Sequence, residues 1–339
     1  MTREITMADV AKKAKVSKST VSQFLNNRFE YMSVETRIRI QNVISELEYQ
    51  PNEVARSLKK KNTSTIGIIV ANILHAYSTQ VIRAIENVCS ENDISTIICN
   101  SDDNPEKEKR YIETLLSKQV DGLIILPTNG NYILYQRLVK QKYPMVFLDR
   151  LVEGVSTDVV LLNNEKATNL AIEHLVERGY QNIAIVTTSL INNITPRVER
   201  INGYKIALKK NDRNVNSDYI VAMDIDSLEQ GLDKLFSLDK KPDAIISGND
   251  LTLMEILKYS SKNGLKVGKD FGLLTIDEVS FSSIHLPSLT TIVQPTLEMG
   301  TKAAEILLSK IENENEKRMP ELHRHEPLLI IRDSTKGKN

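Results

Sequence analysis

Several features are scarce or absent in this sequence, and each absence excludes a class of protein. The 339 residues include two cysteines, so the chain is not a disulfide-stapled secreted domain. No apolar run approaches the roughly 18 residues of a membrane span, and the opening MTREITMADV lacks the apolar middle of a signal peptide. We therefore expect a soluble cytoplasmic protein in which Cys89 and Cys99 are core thiols.

Signatures of catalysis are also missing. The sequence has no G-x-S-x-G, H-E-x-x-H, C-x-x-C or G-x-x-x-x-G-K-[ST] motif. The nearest match, GLKVGKD at 264–270, has the wrong glycine spacing and an aspartate where serine or threonine would hold magnesium. His323 and His325 could share a strand face, but two ligands are too few for a metal site. We predict a binding protein with no catalytic residue, cofactor or metal.

Asp102 and Asp103 are adjacent carboxylates that come after a predicted strand. They could act as paired acids. A helix-start or loop role is the favoured interpretation, because Pro105 and Glu106 come next.

The net charge of zero hides an uneven distribution. Basic and acidic residues both number 44, yet residues 1–62 hold 12 basic against 7 acidic side chains, and the rest of the chain is acidic by the same margin. A basic head on an acidic body indicates that only the head meets phosphates.

Three short helices are predicted in the first 50 residues. TMADVAKKA begins with Thr6 as its N-cap, VSKSTVSQFLNN with Ser17 and SVETRIRIQNVISELEY with Ser33. Apolar residues recur at helical spacing in each segment, such as Val21 and Leu25 in the second. We expect the three helices to surround a small core.

From Ser64 onward, short apolar runs alternate with amphipathic helices. Runs that are apolar throughout are typical of parallel sheets covered by helices on both faces. About ten strands are too many for one twisted open sheet, so we predict two α/β lobes. The first series is TIGIIV, ISTIICN, GLIILP and PMVFLD; the second is DVVLLNN, NIAIVT, DAIISG and LLTID, and LTTIVQP and EPLLIIRD follow.

Polar residues that follow these strands are candidates for a ligand site. Ligands of such sheets bind beyond the carboxyl ends of the strands, so we expect a cleft between the lobes. The candidates are Ser78, Asn100, Asp149, Arg150, Asn249, Asp250 and Asp277.

The start of the second predicted helix favours a nucleic-acid role. Small polar and basic residues cluster there: Ser17, Lys18, Ser19, Thr20 and Ser22. A plain capped helix with exposed polar residues would also explain them. The functional interpretation is a recognition helix that holds phosphates with its N-terminal amides and hydroxyls, while Lys18, Ser19 and Gln23 reach base edges in the major groove.

Taken together, these segments resemble the lac repressor family of bacterial transcription regulators over almost the whole chain. In the head the matching segments are TMADVAKKAKVSKSTVSQFLN and SVETRIRIQNVISELEYQPNEVARSLKKKNTSTIGIIV. Further along they are SDDNPEKEKRYIETLLSKQVDGLIILP, VFLDR, AIEHLVERGYQNIAIV, RINGYKIAL, GND and LTTIVQP.

The resemblance implies three parts. These are a helix-turn-helix DNA-binding domain at 1–50, a hinge helix and linker at 51–62, and an effector-binding, dimerising core at 63–335 with the fold of periplasmic sugar-binding proteins. Lobe 1 would take about 63–161 plus 295–322, and lobe 2 about 162–292 plus 323–333. The implied DNA contacts of the head are Lys18, Ser19, Thr20, Ser22 and Gln23 in the major groove and Thr6, Ser17 and Thr36 on phosphates.

The resemblance also gives a role to NEVARSLKKK at 52–61, which is too short to be stable as an isolated helix. In this family the segment orders in the minor groove of the operator, where a leucine of each subunit wedges between base pairs. Leu58 falls on that position, and such a wedge unstacks a base step at a cost of roughly a few kcal/mol. The implied flanking contacts are Asn52, Ala55, Arg56, Lys59, Lys60 and Lys61.

In the core, the resemblance implies a small polyhydroxylated effector. Each charged side chain of the site can hold two hydroxyls of such a ligand. The alternative for each residue is an interlobe or helix-cap role. The implied effector-binding residues are Ser78, Asp149, Arg150, Arg197, Arg200, Asn249 and Asp277.

Three residues depart from the pattern of many relatives. Gln23 stands where arginine is frequent, and because glutamine favours adenine we expect an A·T-rich half-site. Arg197 adds a cation one turn before Arg200, and Asn163 stands where aspartate is common. One more cation and one fewer anion predict an acidic effector. A resemblance to family members that regulate the pectin and hexuronate pathway suggests a sugar acid such as 2-keto-3-deoxygluconate.

The expected mechanism is repression by a homodimer on a pseudo-palindromic operator. Effector binding would move the lobes and release the hinge helices; a corepressor role for the ligand is the reverse possibility. The alternatives are a global carbon catabolite regulator with a protein corepressor and a solute-binding protein, which would lack residues 1–61. The chain shows no heptads for a tetramer coil after the last strand, which favours a dimer.

The wedge interpretation predicts that Leu58→Ala weakens specific operator binding by more than about tenfold, because the kinked base step loses its apolar filler. Gel retardation on operator DNA measures this effect. Unchanged affinity would contradict the wedge.

Overall fold

The structure is a computed structural model that describes residues 5–49, 63–313 and 319–337. The chain divides after Thr63 into two units, and each is described by itself. The predicted hinge contacts lie outside the described residues: Asn52, Ala55, Arg56, Leu58, Lys59, Lys60 and Lys61.

Residues 5–49 form three helices, α1 (Met7–Lys13), α2 (Lys18–Leu25) and α3 (Val34–Glu46). All three begin at the predicted cap residues. Ser17 Oγ accepts a hydrogen bond from the Thr20 amide at 3.1 Å, and Ser33 Oγ accepts one from the Thr36 amide at 3.2 Å. The small core that joins the helices contains Val10, Ala14, Val21, Phe24, Ile40 and Val43.

The described part of the second unit contains two six-stranded sheets. Its strands are, in chain order, β1 (Thr65–Val70), β2 (Ser95–Asn100), β3 (Gly122–Ile125), β4 (Met145–Leu148), β5 (Asp158–Leu162), β6 (Ile183–Thr188), β7 (Ile220–Met223), β8 (Ala244–Ser247), β9 (Gly272–Ile276), β10 (Thr290–Val293), β11 (Leu322–His325) and β12 (Leu328–Ile330).

Long helices connect most of these strands. They are α4 (Ala76–Glu91), α5 (Pro105–Ser117), α6 (Tyr132–Lys140), α7 (Asn164–Glu177), α8 (Thr195–Lys210), α9 (Leu228–Phe236), α10 (Asp250–Lys262) and α11 (Thr296–Glu312).

Each sheet is the centre of one lobe. The first sheet has the order β11-β5-β4-β3-β1-β2 and is parallel throughout, and the second has the order β12-β10-β9-β8-β6-β7, in which β12 alone runs antiparallel to its neighbour. Helices cover both faces of each sheet: α4 and α11 lie opposite α5 and α6 in the first lobe, and α7 and α8 lie opposite α9 and α10 in the second. The predicted α/β fold with two parallel-sheet lobes is confirmed.

The first sheet differs from the predicted series in two strands. The run DVVLLNN was placed in the second series, but β5 pairs with β4 in the first sheet. β11 was not predicted, since LHRH is a polar, half-exposed edge; its residues Leu322 to His325 pair in parallel with Val159 to Leu162 of β5. The chain therefore crosses for the last time from the first sheet to the second at 326–327, later than the predicted lobe boundary at 322–323. In the second sheet, strand β7 was not predicted.

The two cysteines are free thiols: Cys89 is buried on α4 and Cys99 is half-buried on β2. His323 lies 3.6 Å from Glu321, and His325 lies 3.8 Å from Glu298. In the described ranges, no group of three or more His, Cys, Asp or Glu side chains could hold a metal ion. None of the helices in those ranges is both long and apolar enough to cross a bilayer.

A buried carboxylate fixes the loop after β3, which reaches the mouth of the cleft. Glu108 of α5 accepts hydrogen bonds from the Thr128 amide and from Asn131 Nδ2, each at 2.8 Å, and from the Tyr135 hydroxyl. Burial raises the pKa of Glu108, although the three donors oppose that shift.

We predict that Tyr135→Phe lowers the free energy of unfolding by about 1 to 3 kcal/mol, because one donor to a buried carboxylate is lost. Urea denaturation measures the change. Tyr132→Phe is the matched control, since the Tyr132 side chain is 46% exposed, and it should cost less than about 0.5 kcal/mol. Equal losses in the two variants would contradict the role of Glu108.

Candidate functional site

The helix-turn-helix unit exposes one face of α2. Val21 and Phe24 are buried, whereas Lys18, Ser19 and Gln23 are exposed. Helix α1 ends before Lys15, whose φ of 54° lets the Val16 amide reach Ala11 O at 3.0 Å. The turn is therefore tight, and it leaves the beginning of α2 open to a partner.

Most of the other predicted DNA contacts of the head lie at helix starts, and Ser22 lies in the middle of α2. Thr20 and Ser22 are half-buried on α2. The Thr6 hydroxyl donates to Asp9 at 2.6 Å, Ser17 caps α2, and the Thr36 hydroxyl accepts from Ser33 Oγ at 2.9 Å. Helix starts carry unpaired amides and a positive dipole end, which suit phosphate. Contact of these residues with DNA stays a prediction.

In the second unit, a cleft lies between the two lobes. Its empty volume is about 480 Å³, counting the mouth that opens to solvent. All seven predicted effector-binding residues line it: Ser78, Asp149, Arg150, Arg197, Arg200, Asn249 and Asp277. The lining also includes His75, Tyr77 and Gln294, which were not predicted, and the apolar Ala71, Leu126, Ile194 and Pro196.

Two aspartates occupy equivalent positions in the two lobes. Asp149 follows β4 and Asp277 follows β9, both with left-handed backbones at φ 67° and 108°. The Asp149 amide donates to Val160 O at 2.8 Å and the Asp277 amide to Ile292 O at 3.0 Å, so the neighbouring strands hold both turns. Asparagine and aspartate tolerate this conformation, which is rare for other non-glycine residues. The turns direct both residues into the cleft.

Burial weakens the ionisation of both carboxyls. It raises the pKa of Asp149, although Arg150 and Arg200 oppose the shift. Burial raises the pKa of Asp277 to about 6, again against the pull of Arg200. Asp277 accepts hydrogen bonds from Gln294 Nε2 at 2.5 Å and from the Asp250 amide at 3.2 Å.

Two arginines are anchored by part of their guanidinium groups. Arg200 Nε donates to Asn164 Oδ1 at 2.9 Å and its Nη1 to Gly248 O at 2.5 Å, and the described contacts leave its Nη2 uncommitted. Arg150 Nη1 donates to Pro127 O at 3.2 Å. Arg150 Nε is buried without a hydrogen-bond partner in the described residues and lies 3.8 Å from Asp149.

Asp103, which was expected at a helix start or in a loop, lies outside the cleft lining but bonds two arginines that belong to it. Its Oδ1 accepts from Arg150 Nη1 and its Oδ2 from Arg197 Nη2, both at 2.6 Å. Burial opposes the ionisation of Asp103, but the two guanidinium groups outweigh it and lower its pKa. Arg197, predicted as an additional cation for a ligand, is thus already paired, and it also donates to Ser189 O at 3.0 Å.

Further contacts cross between the lobes. His75 Nδ1 lies 2.5 Å from Asp250 Oδ1, and the Ala76 amide donates to Asp250 Oδ2 at 2.6 Å. Farther along the mouth, Asn129 Nδ2 donates to Asn192 O at 2.9 Å, and the Leu151 amide donates to Thr195 Oγ1 at 2.8 Å. Asp250 was predicted as a lining residue; it joins the lobes instead.

Three residues of the prediction have local roles. Asn163 caps α7, with Oδ1 accepting from the Lys166 amide at 3.1 Å, and it is not part of the lining, so its identity does not change the charge of the cleft. Asn100 accepts from the Ile73 amide at 3.1 Å, outside the lining. Asn249 lines the cleft and also caps α10, accepting from the Thr252 amide at 2.9 Å.

The cleft also contains polar atoms without partners. Tyr77 Oη and Gln294 Oε1 are buried with no hydrogen-bond partner in the described part of the chain. Burial raises the pKa of Tyr77 well above its usual value, so its hydroxyl stays protonated. Buried polar atoms without partners are costly, and here they suit the hydroxyls of a ligand.

Comparison with known proteins assigns both units to one family. A family model described as "Bacterial regulatory proteins, lacI family" matches residues 6–52. One described as "Periplasmic binding proteins and sugar binding domain of LacI family" matches residues 63–324. The chain belongs to the LacI family of bacterial transcriptional regulators.

Relatives of this LacI-family regulator align over nearly their full length. The probable HTH-type transcriptional regulator EndR of Paenibacillus polymyxa is 45% identical, over 97% of this chain and 98% of its own. The HTH-type transcriptional regulator KdgR of Bacillus subtilis is 32% identical, over 98% of both chains. A crystal structure of the lac repressor dimer bound to operator and the anti-inducer ONPF is similar, with a TM-score of 0.83, 25% identity and coverage of 98% of this chain and 99% of that one.

The raised pKa of Asp277 predicts how the stability of the regulator depends on pH. Because the folded state binds the Asp277 proton more tightly than the unfolded state, ionised Asp277 destabilises the fold above about pH 6, and this penalty disappears as the pH falls towards 4. Relative to Asp277→Asn, the wild type should gain about 1 to 3 kcal/mol between about pH 7.5 and pH 4.5.

Urea denaturation at several pH values measures this gain. Asp102→Asn is the control, because the exposed Asp102 has a lowered pKa and should show the opposite direction. A pH-independent difference between the wild type and Asp277→Asn would contradict the burial of an ionisable Asp277.

Proposed function

We propose that the chain represses a carbohydrate catabolic operon and is released from its operator by a small effector in the cleft. The sugar-binding family model over residues 63–324 supports a carbohydrate ligand. The exposed polar start of α2 and the basic head support operator contact. We propose a cytoplasmic homodimer, as in the similar lac repressor structure, with no membrane partner and no enzymatic activity.

A sugar acid is the effector class that the polar groups of the cleft favour. The observation that supports this proposal is that the cleft contains both hydrogen-bond donors without acceptors in the described residues and buried carboxylate acceptors. Arg150 Nε, which lies 3.8 Å from Asp149, and Arg200 Nη2 donate no hydrogen bond within the described residues and are the proposed donors to a carboxylate. Asp149 and Asp277 are the proposed acceptors for hydroxyls. A hydroxy acid such as 2-keto-3-deoxygluconate offers both kinds of group.

The coupling to DNA would run through the arrangement of the lobes. A ligand held between Asp149 of one lobe and Asp277 of the other changes the balance of the interlobe contacts. In the proposed mechanism this change alters the spacing of the two hinge segments of a dimer, and the heads lose their register on the operator. Allosteric coupling is typically about 1 to 3 kcal/mol.

Other assignments of the same fold remain distinguishable. With a corepressor, small molecule or protein, the ligand would strengthen operator binding. A solute-binding protein would need the core without the head, and residues 6–52 match the DNA-binding family model.

The test is gel retardation on DNA upstream of the gene for this chain, with a panel of sugar acids and neutral sugars. We expect a sugar acid to weaken operator binding by about 5-fold to 150-fold, and we expect Gln23 to select an A·T pair in each half-site. Arg200→Gln should bind the operator normally but not respond to the acid.

Calorimetry on the same panel measures the preference directly. Equal or tighter binding of neutral sugars would overturn the sugar-acid class. Strengthened operator binding with the ligand would overturn the proposed sign.

A further inference from the structure

We infer that Asp103 sets the ionic charge of the effector, because it acts as a built-in anion that occupies two of the three arginines of the cleft. The cleft then accepts a ligand with one negative charge or none, and it excludes dianions such as sugar phosphates and aldaric acids. This inference rests on the proposed effector site and makes its ligand class more specific.

The position of the Asp103 carboxylate is defined by its backbone. Asp102 and Asp103 both have left-handed conformations, with φ of 51° and 54°. The Asp103 amide donates to Ala71 O at 2.7 Å, and Asn104 caps α5 by accepting from the Lys107 amide at 2.9 Å. The two side chains consequently diverge: Asp102 pairs with Lys107 at 2.5 Å on the outside, and Asp103 faces the arginines.

The hydrogen bonds of Asp103 use the donors that a second anionic group would need. Arg197 Nη2 contacts Asp103 and its Nη1 contacts Ser189 O, while Arg150 Nη1 divides between Asp103 and Pro127 O. Bidentate binding of phosphate or carboxylate requires two parallel N–H groups on one guanidinium. With Asp103 in place, Arg197 has both Nη groups engaged, and Arg150 keeps only the side of its guanidinium that carries Nε.

The charges at the cleft are balanced when Asp103 is counted. Arg150, Arg197 and Arg200 equal Asp103, Asp149 and Asp277 in number, and His75 with Asp250 forms a separate contact between the lobes. A ligand carboxylate is accommodated by Arg150 Nε and Arg200 Nη2, helped by the raised pKa of both cleft aspartates. A second negative charge would be buried near Asp103 without a cation, which is strongly unfavourable.

A simpler interpretation is that Asp103 only ties the lobes together, because Arg150 and Arg197 belong to different lobes. The two interpretations differ in one measurable respect. If Asp103 only links the lobes, its removal weakens the binding of every ligand that needs the lobes closed. If Asp103 is a built-in anion, its removal also creates an affinity for dianions that the wild type lacks.

The experiment compares wild type, Asp103→Asn and Asp102→Asn by calorimetry at constant ionic strength. Asparagine tolerates the left-handed backbone, and Asp103→Gly is a second variant with the same tolerance. The probes are sulfate, a dianion independent of any effector, and three sugar derivatives: gluconate, galactarate and glucose 6-phosphate.

We expect Asp103→Asn to bind sulfate and galactarate at least about tenfold more tightly than the wild type, since an arginine donor pair is released. Asp102→Asn should match the wild type. The inference is overturned if neither Asp103 variant gains affinity for dianions, or if the wild type already binds galactarate or glucose 6-phosphate as tightly as gluconate.

The sulfate measurement separates this inference from the proposed function. A gain for sulfate in Asp103→Asn, with no sugar acid bound by the wild type, would support the built-in anion and reject the sugar-acid effector. If the wild type binds a sugar acid and the variants gain no affinity for any dianion, the sugar-acid effector is supported and the built-in anion is rejected.

Discussion

The need to pair buried charges governs the cleft of this LacI-family regulator. Both parallel sheets bring their carboxyl ends to the same cleft, so residues that follow strands of either lobe converge there. Burying several ionised groups together is strongly unfavourable unless each group is paired with one of opposite charge. The Asp103 carboxylate completes that match and, because it bonds Arg197 of the other lobe, it links electrostatic balance to lobe closure.

The same constraint connects ligand choice with conformational control. Several polar contacts of the described residues join the lobes: Asp103 with Arg197, Asp250 with His75 and Ala76, Asn129 with 192–193, Leu151 with Thr195, and Arg324 with Glu199. A ligand that donates hydrogen bonds to Asp149 and Asp277 contributes a binding free energy similar to that of these interlobe contacts, since each hydrogen bond contributes about 1 to 3 kcal/mol. Small differences in ligand chemistry can therefore decide which arrangement of the lobes prevails.

Much of this architecture follows from the sequence, for identifiable reasons. Buried central strands are apolar throughout, so β1, β3 and β4 were predictable, as was the position of Asp149 directly after β4. The edge strand β11 was not, because LHRH is polar and its partner β5 is remote in sequence. Gln294 follows β10, so the rule that found the other lining residues would have included it. Asp103 depends on two consecutive left-handed residues and on an arginine 94 positions away, which no local pattern encodes.

The most direct test of the central claim is a crystal structure of the full chain with an effector that changes its operator affinity. The account predicts that this ligand contacts both lobes, with an anionic group near Arg150 Nε and Arg200 Nη2 and hydroxyls on Asp149 and Asp277, while Asp103 still bonds its two arginines. A ligand that binds one lobe alone, or that replaces Asp103 on Arg150 and Arg197, would contradict it.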